Sequence, residues 1–297
     1  LTLRQLQIFE SVAQHLSYTR AAEVLYLTQP AVSMQIKQLE SEVAMPLFER
    51  MGKSLFLTEA GDELLIYARN ISQQLIEASD VLDELRGSKK GRLNIAVATT
   101  ASSFSLKLLG EFYKRFPGAN ITFDVTNRAS LLKHLEKNTI DMVIMGQPPE
   151  GLDVEAESFM ENPLVVIAPI GHELVGKKNI PLKVLQQETF IMREHGSGTR
   201  IAMERFFEES GYSISSVMEM SSNEAINEAV VAGLGLGIVS KDTLELKLSM
   251  GQLKILDVES FPIMRHWYLV HRKGKRFTAL MTAFKNLVQQ ESKEILN

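Results

Sequence analysis

The 297-residue sequence contains no cysteine. Disulfide scaffolds, cysteine-ligated zinc sites and thiol redox sensing are therefore excluded. The sequence also lacks any apolar run of the roughly 18 residues that a membrane-spanning helix needs. Its opening segment, LTLRQLQIFESVAQ, is amphipathic and charged, which is unlike a secretory signal. These absences predict a cytoplasmic protein with no membrane partner.

The sequence also has no excess of basic residues over acidic ones. The chain has 32 Lys and Arg against 36 Asp and Glu, and residues 1–58 carry five basic and five acidic side chains. Charge alone therefore does not indicate a nucleic-acid partner, although cations clustered on one face could still bind phosphates. What is present is ordinary globular composition, with 45% hydrophobic residues. The length suggests about two domains.

Residues 1–58 have the pattern of three short helices and a hairpin. A helical apolar stripe starts at Leu3, and Ser17 can cap a second helix. Thr28 can cap a third helix, with Pro30 inside its first turn. The hairpin that follows suits a small β wing. This pattern predicts a winged helix-turn-helix whose third helix projects its first turn into a DNA groove.

A long helix is predicted over residues 59–86. It has no proline, and its apolar residues recur at alternating spacings of 4 and 3. The alternative is a core helix lying on one domain, but such a regular seam between two domains favours pairing with a second copy of the chain. The predicted dimerisation residues are Leu64, Ala68, Ile71, Leu75, Ala78, Leu82 and Leu85.

The remainder of the chain has α/β character. Residues 87–91 form a polar hinge, after which apolar strands alternate with helical patterns. The nearly continuous apolar strands predict parallel sheets covered on both faces. We expect an effector domain over 92–297 with two lobes, the first built from about 92–162 and 268–297 and the second from about 163–267. The lobes would enclose a cleft.

Several motifs resemble those of LysR-type transcriptional regulators. They are the pattern in 3–9, the runs YTRAAE at 18–23 and LTQPAVS at 27–33, IKQLE at 36–40, PLFER at 46–50 and TEAG at 58–61. The resemblance covers the whole chain and implies a winged helix-turn-helix, a linker helix and a two-lobed domain like periplasmic binding proteins. Residues 31–40 resemble the branch that includes the Calvin-cycle operon regulators.

The expected DNA contacts lie in the third helix and its surroundings. Polar side chains of this helix, from Gln29 to Lys37, are placed to reach base edges or phosphates. Thr28, Arg20 and the two basic residues of the wing are better placed for backbone phosphates. The predicted residues are Arg20, Thr28, Gln29, Pro30, Ser33, Gln35, Lys37, Arg50 and Lys53.

A second candidate site lies in the predicted cleft. Hydroxyl-rich segments follow strands and open helices in both lobes, and such helix N-termini suit a carboxylate or phosphate. In the family that the chain resembles, the effector usually sits there. The predicted effector-binding residues are Thr99, Thr100, Ser102, Asn127, Gly146, Gln147, Arg193, Glu194, His195, Ser197, Thr199, Arg200 and Asn223.

The resulting prediction is a regulator that binds double-stranded promoter DNA and responds to a small carboxylate or phosphorylated metabolite, with no metal, cofactor or catalytic residue. The seam predicts a dimer, and the resemblance implies a tetramer, DNA bending and contact with RNA polymerase.

Two alternatives remain at this point. One is a cytosolic solute receptor. The other is a hydrolytic enzyme with Ser197 or Ser102 as nucleophile and His195 as base, although no G-x-S-x-G elbow occurs.

Overall fold

A computed structural model of the chain describes residues 1–85 and 91–296, without the side chains of residues 80 and 83–85. The described chain separates into two compact units, one with the elements up to residue 85 and one with those from residue 91 onward. Most of the predicted hinge at 87–91 lies outside the described residues. So do residue 86 and the side chain of Leu85.

The first unit contains the predicted three helices, hairpin and long helix. Its elements are α1 (Leu3–His15), α2 (Tyr18–Val24), α3 (Gln29–Val43), β1 (Phe48–Met51), β2 (Ser54–Leu57) and α4 (Glu59–Leu85). Two predicted caps are confirmed, because the hydroxyl of Ser17 accepts from the backbone N–H of Arg20 and that of Thr28 from the N–H of Ala31. The winged helix-turn-helix is therefore formed as predicted.

The start of α4 explains the glycine in the TEAG motif. Thr58 caps the helix by accepting from the N–H of Gly61 at 3.1 Å, and its own N–H donates to the Leu47 carbonyl. A Cβ atom at position 61 would lie 2.1 Å from that carbonyl oxygen. Only glycine lets the first turn of α4 approach the wing this closely.

The predicted seam of α4 divides into two halves. Ala68 is fully buried in the core of the first unit, and Leu64 and Ile71 pack partly against the same core. Ala68 therefore faces this unit's own helices rather than a second copy, whereas the dimerisation role of Leu64 and Ile71 stays a prediction because both keep part of their surface exposed. Leu75 and Leu82 are 43% and 54% exposed, so the apolar face that is still free begins about halfway along the helix.

The second unit is built from two five-stranded sheets. Its first elements are β3 (Arg92–Ala98), α5 (Ser102–Arg115), β4 (Asn120–Thr126), α6 (Arg128–Glu136), β5 (Met142–Met145) and β6 (Val154–Glu161). They are followed by β7 (Leu164–Pro169), α7 (Leu182–Leu185), β8 (Thr189–Arg193), α8 (Gly198–Glu209), β9 (Ser215–Met220), α9 (Asn223–Val231), β10 (Leu236–Ser240), α10 (Glu245–Ser249), β11 (Leu253–Ile255), β12 (His266–Arg272), α11 (Ala279–Asn286) and α12 (Ser292–Leu296).

The strand order is β4-β3-β5-β12-β6 in one sheet and β11-β7-β10-β8-β9 in the other. In each sheet four strands run in the same direction, and one strand, β12 in the first sheet or β7 in the second, runs antiparallel to both of its neighbours. The parallel pairing predicted for the first βαβαβ set is therefore confirmed by β3, β4 and β5, but each sheet also contains one reversed strand. The cause of the reversal is the chain crossing twice between the lobes, which brings β7 and β12 into their sheets in the reverse direction.

The two crossing segments, residues 162–163 between β6 and β7 and residues 256–265 between β11 and β12, lie side by side. The backbone N–H of Asn162 donates to the carbonyl of Arg265 at 2.7 Å, and Leu164 forms a β-bridge with Ile263. These contacts place the side chains of both crossing segments at the junction between the two lobes.

Candidate functional site

The exposed face of α3 is the first candidate site. Thr28, Gln29, Pro30 and Lys37 are exposed, and Ser33 is partly exposed on the same side of the helix. They lie opposite the buried residues of α3, which are Val32, Ile36 and Leu39. The helix therefore packs on one face and presents polar groups on the other.

The remaining predicted DNA contacts differ in their placement. Arg50 and Lys53 are exposed on the β1–β2 wing. Arg20 is exposed and pairs with Glu23 at 3.0 Å, and a surface pair of this kind is weak enough to be exchanged for a phosphate. Gln35 is half-buried on the flank of α3 nearest the core, so it is less well placed than its neighbours.

The second candidate site is a cleft at the junction of the two lobes. It is lined by Ala98, Thr99, Thr100, Asn127, Arg128, Leu131, Met145, Gly146, Asn162, Arg193, Glu194, Ser197, Gly198, Thr199, Arg265 and Trp267. Eight of the thirteen predicted effector residues are in this set, and Gln147 lines the adjoining part of the surface. The N-termini of α6 and α8 both border the cleft, and their dipoles favour an anion there.

Four predicted effector residues do not line the cleft. The hydroxyl of Ser102 donates to the carbonyl of Thr99 at 2.8 Å, inside the first turn of α5. Arg200 lies behind the cleft, where it pairs with Glu204 and Glu219 at 2.7 and 2.6 Å. The predictions for both side chains are corrected, because local partners hold them.

His195 and Asn223 are the other two predicted effector residues that do not line the cleft. The imidazole of His195 is 80% exposed and lies 3.0 Å from the guanidinium of Arg200. Asn223 is buried, and its side-chain oxygen accepts from Arg193 at 3.1 Å. Asn223 therefore positions the arginine that lines the cleft.

Arg193 is held firmly from several sides. Its guanidinium also donates to both carboxylate oxygens of Glu194, at 2.7 and 2.8 Å, and to the carbonyl of Ser221. This bidentate pair neutralises one positive charge in the cleft.

Two further arginines line the cleft, and the sequence patterns did not identify either. Arg128 in the first turn of α6 donates to the Gln147 carbonyl, and Arg265 in the returning crossing segment donates to the Gly198 carbonyl, both at 2.9 Å. Among the residues that the structure describes, neither guanidinium pairs with a carboxylate. The cleft thus holds two cations without a counter-charge.

Burial and mutual repulsion perturb these two groups. Desolvation by burial, together with the nearby charges of Arg128 and Arg193, lowers the pKa of Arg265 to about 10. Burial likewise lowers the pKa of Arg128. Both shifts mean that burial in the cleft disfavours the charged guanidinium, and a bound anion would oppose this effect.

Two buried donors in the cleft meet no acceptor within the described residues. They are Nε of Arg265 and Nδ2 of Asn162, whose other side-chain atom, Oδ1, accepts from the hydroxyl of Ser240 at 2.8 Å. A buried donor without an acceptor costs free energy. Such donors beside two uncompensated cations indicate a ligand rich in anionic oxygen atoms.

Other chemistries find little support in this geometry. Across residues 1–85 and 91–296, no group of three or more His, Asp or Glu side chains is arranged to hold a metal ion. The oxygen of Ser197 accepts from the N–H of Thr199 as the cap of α8, and His195 contacts Arg200 rather than a serine. No helix in the described ranges is both long and apolar enough to cross a membrane.

Two family models match the chain. The family model described as "Bacterial regulatory helix-turn-helix protein, lysR family" matches residues 3–62. The model described as "LysR substrate binding domain" matches residues 86–293.

Three similar proteins define the relationship further. The RuBisCO operon transcriptional regulator of Allochromatium vinosum is 53% identical over 292 residues, which cover 98% of this chain and 97% of that protein. The regulatory domain of CcmR from Synechocystis PCC6803, solved in complex with 2-PG, is 40% identical with a TM-score of 0.66, and the match covers 68% of this chain and 97% of that one. Full-length CbnR, solved with its target DNA, shares the fold at 21% identity and a TM-score of 0.67 over 98% of this chain and 99% of its own.

The predicted resemblance to Calvin-cycle operon regulators is thereby confirmed, and the alternatives of a solute receptor and a hydrolytic enzyme are not supported. The chain is a DNA-binding transcriptional regulator rather than an enzyme, and it belongs to the LysR family of bacterial regulatory helix-turn-helix proteins.

Proposed function

We propose that this regulator controls carbon-fixation genes and that a phosphorylated carboxylic acid in the cleft sets its activity. The two uncompensated arginines, Arg128 and Arg265, carry this proposal. The names of the relatives support the target, since one is a RuBisCO operon regulator and the CcmR regulatory domain was solved with 2-PG, 2-phosphoglycolate.

The charge of the cleft favours a ligand with more than one negative charge. Arg193 is already neutralised by Glu194, which leaves the charges of Arg128 and Arg265 for the ligand. A guanidinium presents a planar fork of donors that matches phosphate and carboxylate oxygens. A phosphorylated acid therefore satisfies both cations, whereas a monocarboxylate leaves one uncompensated.

The regulatory step follows from where these groups lie. Arg128 belongs to the first lobe, Arg265 to a segment that crosses between lobes, and Ser197 to the second lobe. A ligand that bridges them binds one relative arrangement of the lobes more tightly, and it shifts the population only by that difference in affinity. We propose that this shift changes the spacing of the DNA-binding units, and with it DNA bending and contact with RNA polymerase.

The proposed domain functions follow the domain boundaries predicted from the sequence. Residues 1–58 bind DNA, 59–86 link and dimerise, 87–91 act as a hinge, and 92–297 bind the effector. The 58/59 boundary coincides with the Thr58 cap of α4.

Recognition of DNA is assigned to Gln29 and Ser33. Gln29→Ala should weaken binding to the operator by about tenfold, because a side-chain contact to a base edge contributes about 1–3 kcal/mol. Gln7→Ala is the matched control, since Gln7 is exposed on α1 of the same unit. Electrophoretic mobility shift with the promoter upstream of a carbon-fixation operon measures both. Unchanged affinity and sequence preference in both Gln29→Ala and Ser33→Ala would refute the assignment.

Dimerisation is assigned to the free half of the α4 seam. Leu75 and Leu82 are one heptad apart and exposed, which suits pairing with a second copy of the helix. The double variant Leu75→Glu, Leu82→Glu should dissociate the dimer at micromolar concentration, because two like charges would face their symmetry mates. Leu246→Glu, at an exposed site on α10, should leave the sedimentation coefficient unchanged. A dimer that persists in the double variant would place the interface elsewhere.

A further inference from the structure

Met34 lies at the centre of the exposed face of α3. It follows Pro30 by four residues and precedes Lys37 by three, so all three share one side of the helix. Its side chain is 61% exposed, although methionine is usually buried. The buried residues of the helix lie on the opposite side.

Exposure by itself does not make a site, because single apolar residues are common on protein surfaces. The position of Met34 is what matters. It is flanked by the polar and basic groups of Gln29, Ser33 and Lys37, on the helix that this family of regulators uses to bind DNA. An apolar group at that point will face base edges when the helix enters the major groove.

The chemistry of the side chain limits what it can recognise. A thioether is only a weak acceptor and donates no hydrogen bond, so it cannot read the donors and acceptors of the base edges. The apolar feature that bases present in the major groove is the C5 methyl group of thymine. The three rotatable bonds of methionine let it settle against such a methyl group.

We infer that Met34 determines part of the operator sequence by packing against a thymine methyl group in each half-site. This inference rests on the proposed role of α3 in DNA recognition. It adds an apolar contact to the polar contacts assigned to Gln29 and Ser33, and it requires an A·T pair at the contacted position of each half-site.

Replacing thymine by deoxyuridine tests this contact, because the exchange removes only the methyl group. Each thymine of the operator half-site is replaced in turn, and the affinity of the full chain is measured by fluorescence anisotropy. At one position the wild-type protein should bind the uridine operator about fourfold more weakly per half-site, the value expected for one buried methyl-sized group.

The same titration with Met34→Ala identifies the protein partner. This variant should bind the thymine operator more weakly than wild type and should no longer distinguish thymine from uridine at that position. Alanine favours the helix, so α3 should stay folded. Met250→Ala, a similarly exposed methionine in the second unit, should keep the fourfold ratio.

The outcomes separate this inference from the proposed function. Equal thymine-to-uridine ratios for wild type and Met34→Ala at every position would overturn the inference, while a loss of affinity in Gln29→Ala would still support recognition by α3. A wild-type chain that binds operator and unrelated DNA equally would instead refute the recognition role as a whole.

Discussion

Arg265→Met should abolish the response to 2-phosphoglycolate and at the same time stabilise the ligand-free protein. Removing one partner of a buried charge pair costs about 2–5 kcal/mol, so affinity for the ligand should fall at least about thirtyfold. The stabilisation arises because the lowered pKa of Arg265, about 10, corresponds to a penalty of about 3 kcal/mol for holding its charge inside the cleft.

The direction of the pKa shift of Arg265 determines the pH range in which its charge destabilises the folded state. A base whose pKa is lowered on folding destabilises the folded state at all pH values below the folded pKa, and the penalty fades as pH rises above about 10. At neutral pH the variant loses the penalty but also the bond to the Gly198 carbonyl, worth about 1 kcal/mol. The net gain should raise the Tm of the apo protein by several degrees.

Thermal unfolding with and without 2-phosphoglycolate measures both effects. Wild type should gain stability with ligand concentration, because a ligand that binds only the folded state raises the unfolding free energy. Arg276→Met is the control, since Arg276 is an exposed arginine of the same unit and should leave the ligand response intact. A lower Tm for apo Arg265→Met together with an unchanged ligand shift would show that Arg265 is a structural residue.

The second large effect concerns a buried ion pair in the first lobe. Asp141 and Lys275 lie 3.2 Å apart, and their side chains are 8% and 2% exposed. Asp141 also accepts from the backbone N–H and the side-chain amide of Asn94, at 2.8 and 3.1 Å. Asp141→Ala should cost about 3–5 kcal/mol of unfolding free energy, because it removes the carboxylate that faces a buried lysine charge and accepts two hydrogen bonds from Asn94.

Urea unfolding of the full chain, followed by circular dichroism, measures this loss. The matched control is Asp257→Ala, which breaks an exposed pair with Lys178 and should change stability by no more than about 0.5 kcal/mol. The double variant Asp141→Leu, Lys275→Met should recover much of the loss, since neither charge of this pair remains buried. Equal shifts for Asp141→Ala and Asp257→Ala would contradict the account of the buried pair.

Local physical rules made the first unit predictable from its sequence. The caps at Ser17, Thr28 and Thr58 are short-range features, because each hydroxyl accepts from a backbone N–H three residues later. The α4 seam was harder to assign. The spacing of its apolar residues shows which of them share a face. Only the folded unit shows that Ala68 is buried in that unit's own core.

The cleft was predictable only in outline. Residues at helix starts, such as Thr99, Asn127 and Ser197, could be predicted because strand-to-helix junctions are visible in the sequence. Arg265 could not, since it lies far along the chain and reaches the cleft only through the second crossing between the lobes. Arg128 directly follows Asn127, and a cation in the first turn of a helix opposes the helix dipole, which was a usable signal.

Some residues were predicted to line the cleft but lie outside it, and the reason is related. The sequence shows that Arg200 follows a hydroxyl-rich segment, but not that Glu219 on the neighbouring strand β9 is close enough to pair with it. A side chain near a helix start can point into a cleft or behind it, and long-range partners decide which.

A phosphorylated acid in the cleft is proposed to control DNA binding through Arg128 and Arg265. The most direct measurement is the mobility and DNase I footprint of the full-length wild-type protein and Arg265→Met on operator DNA, over a titration of 2-phosphoglycolate. We predict that the ligand changes the wild-type footprint or affinity, and that Arg265→Met binds the operator but does not respond. An identical response from both proteins, or none from the wild type, would contradict the account.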